Sequence, residues 1–181
     1  MPYHHLALAA KDMAAIHHFY ETIMGFELVK VEVAPVMEGG WGKHFFYRMD
    51  GDDSRFIAFW ELHDTPGAAD HQYDLNAAAR VPMGTNHYSF AVDSVEELDR
   101  WRERWTAHGL DVLEIDHRWC RSIYTRDPNQ NMVEFCLTSG PFTPADRERA
   151  LAALTERTMN PSPPPAAIRR WPAVSTPASS E

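Results

Sequence analysis

The stretch His5-Leu-Ala-Leu-Ala-Ala-Lys-Asp12 decides the fold, because its pattern returns 82 residues later as His87-Tyr-Ser-Phe-Ala-Val-Asp-Ser94. Each copy opens with a histidine and a short alternating apolar run, and a residue suited to cap a helix lies seven positions after the histidine. Apolar residues at helical spacing follow each cap, and each helix is predicted to end at a glycine, Gly25 or Gly109. A strand followed by a helix is therefore predicted to open each of two repeats.

Three more strands are predicted after each helix, from alternating apolar residues bounded by turn signals. They are Glu27–Val33, Phe45–Met49 and Arg55–Leu62 in the first copy, and Asp111–Asp116, Arg121–Thr125 and Asn131–Leu137 in the second. The predicted fold class is α+β, with two repeated βαβββ modules that form a cupped eight-stranded mixed sheet and an added C-terminal helix. The predicted parts are a first module (1–62), a linker (63–85), a second module (86–142), a helix opened by Thr143-Pro144 (143–159), and a disordered tail rich in proline and serine (160–181).

The composition excludes several classes of function. Seventeen Lys and Arg residues stand against 26 Asp and Glu, and the net charge of −9 opposes the phosphate neutralisation that nucleic-acid binding requires. No apolar run approaches the roughly 20 residues of a membrane helix, and the N-terminus lacks the pattern of a secretory signal. We therefore expect a cytoplasmic protein with no nucleic-acid or membrane partner, in which Cys120 and Cys136 are free thiols.

Strand alternation places one metal-competent residue on the small-residue face of each of three strands. His5 shares its face with alanines, His87 shares its face with Ser89, and Glu134 shares its face with Cys136. His4 falls on the opposite face of the first strand. Two histidines and one carboxylate are a ligand set that holds Fe(II) or Mn(II) and leaves positions open for substrate. The sequence therefore predicts a metal centre at His5, His87 and Glu134.

The repeats, together with Asp127-Pro-Asn-Gln-Asn-Met-Val-Glu-Phe near the end, resemble the vicinal oxygen chelate superfamily over residues 3–138. That superfamily includes glyoxalase I, fosfomycin-resistance transferases, methylmalonyl-CoA epimerase, bleomycin-binding proteins and type I extradiol dioxygenases. The resemblance implies the predicted fold, and His5, His87 and Glu134 fall at the family's metal-ligand positions. The reaction does not follow, because one fold hosts many chemistries.

The segment from Asp116 to Glu134 is similar to the pattern of the extradiol ring-cleavage dioxygenases. That resemblance implies that His117 and Tyr124 hydrogen-bond a bound catecholate. Gln130 departs from the pattern, which has glycine or proline there. His71 lies near the place where such enzymes have a further acid–base histidine, and the alternative for His71 is a solvent-exposed linker residue. The expected cofactor is Fe(II), with Mn, Ni or Zn as other candidates.

Glu61 supports an alternative prediction of the metal site and the reaction. In glyoxalase-like and epimerase-like members a fourth ligand comes from the last strand of the first module, and Glu61 at that place would favour proton transfer over oxygen chemistry. A third reading is a metal-free drug-binding resistance protein. The favoured prediction is a non-haem Fe(II) extradiol-type dioxygenase that acts on a small aromatic substrate with O₂, as a homodimer or higher homo-oligomer.

Overall fold

The computed structural model describes residues 3–37, 39–49, 51 and 53–174. They form an α+β structure with two βαβββ modules, as predicted. The strands are β1 (His5–Ala9), β2 (Glu27–Pro35), β3 (Trp41–Arg48), β4 (Phe56–His63), β5 (His87–Ala91), β6 (Val112–Asp116), β7 (Cys120–Arg126), β8 (Met132–Thr138) and β9 (Ala167–Trp171). The α-helices are α1 (Met13–His17), α2 (Leu75–Ala79), α3 (Val95–Ala107) and α4 (Pro144–Ala153).

The first module is a four-stranded sheet in the order β1-β4-β3-β2, in which β1 and β4 are parallel and the other pairs are antiparallel. Its helix begins after Asp12, whose carboxylate accepts the Ala15 N–H, and α1 continues directly as a π-helical segment, His18–Ile23. The chain then turns at Gly25, with φ of 71°, as predicted. One face of the sheet packs against this helical segment through Phe59, whose ring lies 4.6 Å from that of Tyr20.

A network of buried hydroxyls completes this part of the core. The Tyr20 hydroxyl donates to Asp127 Oδ2 at 3.1 Å, and the Tyr88 hydroxyl donates to the same oxygen at 2.7 Å. The two tyrosine hydroxyls also contact each other. Burial, and then the charge of Tyr88 and Asp127, raises the pKa of Tyr20 well above its ordinary value. Burial likewise raises the pKa of Tyr88, so both phenols are protonated donors to Oδ2 of the buried Asp127, whose Oδ1 accepts the Asn131 N–H at 2.9 Å.

The second sheet has the order β5-β8-β7-β6-β9. Its helix α3 is capped by Ser94, which accepts the Glu97 N–H at 3.1 Å, while Glu97 accepts the Asp93 N–H at 3.0 Å. Phe135 on β8 stacks on Trp101 of α3 at 4.3 Å between ring centroids. The apolar face of β8 is thus turned to the helix, as strand alternation predicted.

The chain divides into two compact units. The first contains the residues up to Tyr88 and Arg126–Val133, and the second contains Ser89–Thr125 and the residues from Glu134 onward. The segment predicted as a linker holds a short 3₁₀ turn, Ala68–Asp70, and α2. None of the helices in the described ranges is long and apolar enough to cross a membrane.

The predicted C-terminal helix is present as α4, and Thr143 and Asp146 form a capping box at its start. The prediction of a disordered tail over 160–181 is wrong for Ala167–Trp171, which forms β9 and pairs antiparallel with β6. A short strand between proline-rich stretches has a weak local signal, and it forms here because the edge of β6 supplies hydrogen-bonding partners. Residues 175–181 of that predicted tail lie outside the described part of the chain.

Candidate active site

The two histidines predicted as ligands begin corresponding strands, His5 at the start of β1 and His87 at the start of β5, and both are exposed. His87 Nδ1 lies 3.0 Å from the Gly84 carbonyl oxygen. A carbonyl can only accept, so Nδ1 carries a proton and donates it to Gly84. His5 Nδ1 lies 2.9 Å from Nδ1 of His4, which leaves the His5 Nε2 outside that contact.

The two modules can be aligned residue by residue through one hydrogen bond in each. Ala10, five residues after His5, donates its N–H to the Trp60 carbonyl at 2.8 Å. Val92, five residues after His87, donates its N–H to the Cys136 carbonyl at 3.1 Å. Trp60 therefore corresponds to Cys136. Two residues earlier on each strand, Ala58 of the first module corresponds to Glu134 of the second.

Glu134 lies buried on β8, with 5% of its surface exposed. The Ser139 N–H donates to the Trp119 carbonyl at 2.8 Å, which sets the register of β7 and β8. Tyr124 is five residues after Trp119, and Glu134 is five before Ser139, so the two stand opposite each other. Burial raises the pKa of Tyr124, and the nearby Glu134 carboxylate, to which the phenol hydrogen-bonds, raises it further. Tyr124 is therefore a protonated phenol that can donate beside a buried carboxylate.

His117 follows β6 in the turn that leads into β7, where its N–H donates to the Cys120 carbonyl at 2.8 Å. Its Nε2 lies 3.0 Å from the Tyr124 hydroxyl oxygen. The second unit thus brings together three residues predicted from the sequence: the buried carboxylate of Glu134, the phenol of Tyr124 and the imidazole of His117. Such a series offers hydrogen-bond donors and a proton acceptor next to a potential metal ligand.

The family follows from comparison with known proteins. The protein-family model described as "Glyoxalase/Bleomycin resistance protein/Dioxygenase superfamily" matches residues 3–135 of this chain. The chain belongs to this superfamily. A probable trivalent organoarsenical cleaving enzyme of Bacillus subtilis is 26% identical over 144 residues, which are 76% of this chain and 81% of that protein.

Solved structures from the superfamily share the fold. A glyoxylase/bleomycin resistance protein/dioxygenase domain from Frankia sp. EAN1pec has a TM-score of 0.57 at 18% identity, and the match covers 76% of this chain and 98% of that one. The fosfomycin resistance protein FosX from Listeria monocytogenes has a TM-score of 0.53 at 21% identity, and the match covers 81% of this chain and 98% of that one. At such identities the likeness concerns the fold alone.

The superfamily includes metal-dependent enzymes, and a bound divalent ion requires several donor side chains that converge on one point. Across the ranges that the structure describes, no group of three or more His, Cys, Asp and Glu side chains is close enough to hold a metal. Taken one by one, two of the predicted ligands have the chemistry that a divalent ion needs. His87 has its Nδ1 held by the Gly84 carbonyl, as in imidazoles that ligate through Nε2, and Glu134 supplies a hard oxygen donor.

Glu61 is poorly placed to be a further ligand beside His5. His5 pairs with Phe56 of β4, so alternation puts Phe56, Ala58 and Trp60 on the face of His5 and Glu61 on the other. Its carboxylate accepts a hydrogen bond from Lys43 Nζ at 2.8 Å, which lowers the pKa of Glu61. In the alignment of the modules Glu61 corresponds to the apolar Leu137. This superfamily member therefore has its second carboxylate on the wrong face for the four-ligand site of the glyoxalase-like reading.

His71 lies just after the 3₁₀ turn, where its N–H donates to the Ala68 carbonyl at 3.3 Å. Its ring centroid lies 6.2 Å from that of Tyr73. Both contacts are local, and neither connects His71 to another of the predicted site residues. Its acid–base role stays a prediction.

His44 was missed by the sequence analysis. It is buried, stacks on Trp60 at 4.2 Å between ring centroids, and lies 6.1 Å from the His5 ring. Burial, and then the nearby His5, lowers the pKa of His44, so its neutral form is favoured. The signal was alternation along β3, but the predicted strand began at Phe45, one residue after His44. In the structure β3 begins at Trp41, which pairs with Pro35 of β2.

Proposed function

We propose that this superfamily member is a non-haem Fe(II)-dependent extradiol-type dioxygenase that cleaves a small catecholic or related aromatic substrate. The observation that supports this most is the Tyr124 phenol beside the buried Glu134 carboxylate, with His117 at 3.0 Å from the phenol oxygen. His5, His87 and Glu134 are the proposed ligands of the ion. Mn, Ni and Zn are the other candidate ions.

A ring cleavage of this kind inserts both atoms of O₂ and breaks the carbon–carbon bond beside the diol. When bound, Fe(II) supplies Lewis acidity and the electrons that O₂ requires. The chain's own residues would handle the protons. Because burial and Glu134 raise the pKa of Tyr124, its phenol stays protonated, and its one proton, which is hydrogen-bonded to Glu134 here, would turn to a diol oxygen when Glu134 holds the ion. His117, next to that phenol, can receive a proton from the diol.

The sheet face that carries His5 is suited to an aromatic ring. The Phe46 ring lies 5.6 Å from the His5 ring, and Trp60 and His44 continue the same face. Planar side chains favour planar ligands by offset stacking and by excluding water. This wall supports an aromatic substrate over an aliphatic one.

Metal analysis of protein purified without oxygen tests the proposal, followed by oxygen uptake and yellow product formation on a panel of catechols. We expect bound iron and stoichiometric oxygen consumption with at least one catechol. Retained iron with no oxygen consumption on the whole panel would contradict the dioxygenase. Turnover of a hemithioacetal supported by nickel or zinc would instead favour a glyoxalase-like isomerase. A His71→Ala variant with unchanged kcat would remove His71 from the proposed acid–base residues.

A second candidate is the cleavage of a trivalent organoarsenical, the activity named for the Bacillus subtilis relative. One observation favours it. Cys120 and Cys136 lie on the same face of neighbouring strands, because the register of β7 and β8 places Ser122 opposite Cys136 and Cys120 Sγ lies 3.8 Å from Ser122 Oγ. Burial raises the pKa of Cys120 to about 12, so the thiol would have to lose its proton to the arsenical as it binds. Two adjacent thiols are a chelating pair for trivalent arsenic, which binds through sulfur after the thiols lose their protons.

A trivalent aryl arsenical incubated with the iron-loaded protein separates the two candidates. Release of inorganic arsenic that is lost in Cys136→Ser, together with unchanged oxygen uptake on catechols, would assign the arsenical activity to the thiol pair. No release from the unsubstituted protein would reject this candidate and leave the catechol proposal untouched. Cys136 suits the substitution better than Cys120, because it is only partly buried.

We also propose a homodimer or higher homo-oligomer. No residue of α4 is buried, and Leu151 and Leu154 expose 52% and 76% of their surface. A helix of ten residues without a packed face is marginal in water, so packing against a second copy would stabilise it. Light scattering should give a mass of two chains or more, and a monomer at micromolar concentration would contradict the proposal.

A further inference from the structure

The C-terminal segment Pro164–Trp171, here called the C-terminal strap, is attached along the whole edge of β6. Its strand β9 pairs with β6 in antiparallel register from Ala167 opposite Asp116 to Trp171 opposite Val112. Just before β9, the Ala166 N–H donates to the Asp116 carbonyl at 2.8 Å. Beyond it, Val174 continues the attachment to the end of α3. The strap is thus a regular part of the second unit.

A buried carboxylate holds the strap in place. Glu114 of β6 has only 2% of its side chain exposed, and it accepts hydrogen bonds from Arg169 Nη1 and Trp171 Nε1, both at 2.9 Å. Arg121 of β7 donates to the same carboxylate at 2.6 Å. Burial on its own would raise the pKa of Glu114, and the bonds from Arg121, Trp171 and Arg169 bring it below the ordinary value. A buried charge with several charge-assisted donors is costly to release, so Glu114 locks the strap to the sheet.

The N-terminal end of the strap is hydrogen-bonded to the turn that contains His117. Arg118 donates from Nε to the Pro164 carbonyl at 2.8 Å, and its own N–H is accepted by Asp116 Oδ1 at 2.8 Å. Arg118 has φ of 77°, a left-handed conformation that a non-glycine residue adopts only when its surroundings hold it. The two chain neighbours of His117 are therefore both tied to the strap.

We propose that the C-terminal strap is a positioning element of the candidate active site, which keeps the His117 imidazole against the Tyr124 hydroxyl by fixing Asp116 and Arg118. Glu114 and Arg169 are the positioning residues of this element. The catalytic consequence rests on the proposed function, because it requires that His117 acts on a substrate. The strap lies beyond residue 135, where the match to the family model ends.

Arg169→Ala and Arg170→Ala are a matched pair for the test, since both residues lie on β9 and alternate in direction, and only Arg169 bonds Glu114. Amide hydrogen exchange is measured on the peptide that covers Asp116–Arg118 in the full chain. We expect exchange to be faster by roughly three- to ten-fold in Arg169→Ala, the range of a partly exposed charged hydrogen bond. Arg170→Ala should match the unsubstituted protein, and Arg169→Lys should restore part of the protection. Equal exchange in the two alanine variants would overturn the proposal.

Activity of the iron-loaded variants supplies the second readout. Arg169→Ala should lower kcat on a catechol with little change in KM or bound iron, because the strap contains no proposed metal ligand. A lower iron content in place of a lower kcat would show general loosening of the sheet and would contradict a positioning role for His117. If the unsubstituted protein cleaves no catechol, the proposed function fails, while the exchange experiment still decides whether the strap fixes the turn.

Discussion

The two modules share the βαβββ order of elements, but they carry different side chains at corresponding positions of their last two strands. In the first module Phe46 of β3 stands opposite Ala58 of β4, and in the second Tyr124 of β7 stands opposite Glu134 of β8. The first pair is wholly apolar, whereas the second is a phenol and a buried carboxylate. Both modules thus open with a histidine, while the second has the buried carboxylate and the phenol at the positions where the first has alanine and phenylalanine. The first module supplies an aromatic wall.

Replacing Glu134 by alanine makes the second module like the first, and it should have the largest effect. We expect iron to fall to background and activity to fall by more than the roughly 10- to 100-fold typical of residues that only support a ligand. Metal content by elemental analysis checks this. Glu61→Ala is the matched control, because its carboxylate lies on the opposite face of its sheet and bonds Lys43. Iron loss in Glu61→Ala equal to that in Glu134→Ala would restore the four-ligand reading.

Tyr124→Phe reproduces the phenylalanine of the first module at the corresponding position. Iron should stay bound, and kcat on a catechol should fall by about 10²-fold, the lower end of general acid–base contributions. Steady-state kinetics on protein of measured iron content is the test. The reciprocal Phe46→Tyr change should leave kcat within a few-fold. A Tyr124→Phe enzyme with full kcat would show that the phenol takes no part in the reaction.

The helices of the two modules differ in how they are anchored. Tyr20 lies eight residues after its cap and reaches Asp127 through a hydroxyl, whereas Arg102 lies eight residues after its cap and reaches Glu114 through a charge, at 3.7 Å. Tyr20→Phe should lower the free energy of unfolding by about 1–2 kcal/mol, because Asp127 loses one donor in a buried site. Urea unfolding measures this. Tyr3→Phe, at a residue 58% exposed, is the control and should change little.

The charged anchor of the second module should respond to acid. Its hydrogen bonds hold the pKa of Glu114 below the ordinary value of 4.5. The ionised carboxylate therefore stabilises the fold fully above pH 4.5, and this stabilisation is lost as the pH falls through the lowered pKa. Exchange of the β9 amides, corrected for the intrinsic pH dependence, should therefore lose protection as pH falls from about 5 to 3. Glu114→Gln should lack this step. An identical acid profile in the variant would show that another group controls it.

The smallest effect is expected at the turns that precede the last strand of each module. The first module has Gly51 there, with φ of 65°, and the second has Gln130, with φ of 71°. A left-handed conformation costs a residue with a Cβ about 1–2 kcal/mol. Glycine avoids that cost, but it makes the unfolded chain more flexible, and this offsets part of the gain in stability. Gln130→Gly should therefore raise the free energy of unfolding by less than about 1 kcal/mol. A loss of stability would show that the Gln130 side chain contributes contacts that outweigh the strain.

The sequence was sufficient for the features that depend on local chemistry. The capping residues Asp12 and Ser94 and the terminating Gly25 act within one helical turn, so the repeat and its α+β class could be predicted. Alternation on β8 likewise separated Phe135, which packs on α3, from Glu134. These rules fail where a partner distant in the chain decides the outcome.

Several features depend on such distant partners. β9 forms because the edge of β6 supplies hydrogen-bonding partners, and the residues around Ala167–Trp171 contain no local pattern that predicts this pairing. The face on which Glu61 lies depends on the pairing of β4 with β1, which are separated by more than 45 residues in the chain. The proximity of Tyr20 to Asp127 joins residues that the sequence separates by more than a hundred positions. None of these features could be predicted without knowing which distant residues pair in the folded chain.

The position of β9 also has a consequence for solubility. Without it β6 would be the last strand of its sheet, and a row of backbone N–H and C=O groups would face water. Such a row is a template on which another chain can add a strand. A protein shortened before Ala167 would therefore be at risk of aggregating through β6, whether or not its chemistry survived. In this chain β9 takes the edge position, and its charged Arg169 and Arg170, with prolines before and after the strand, make it a poorer template than β6.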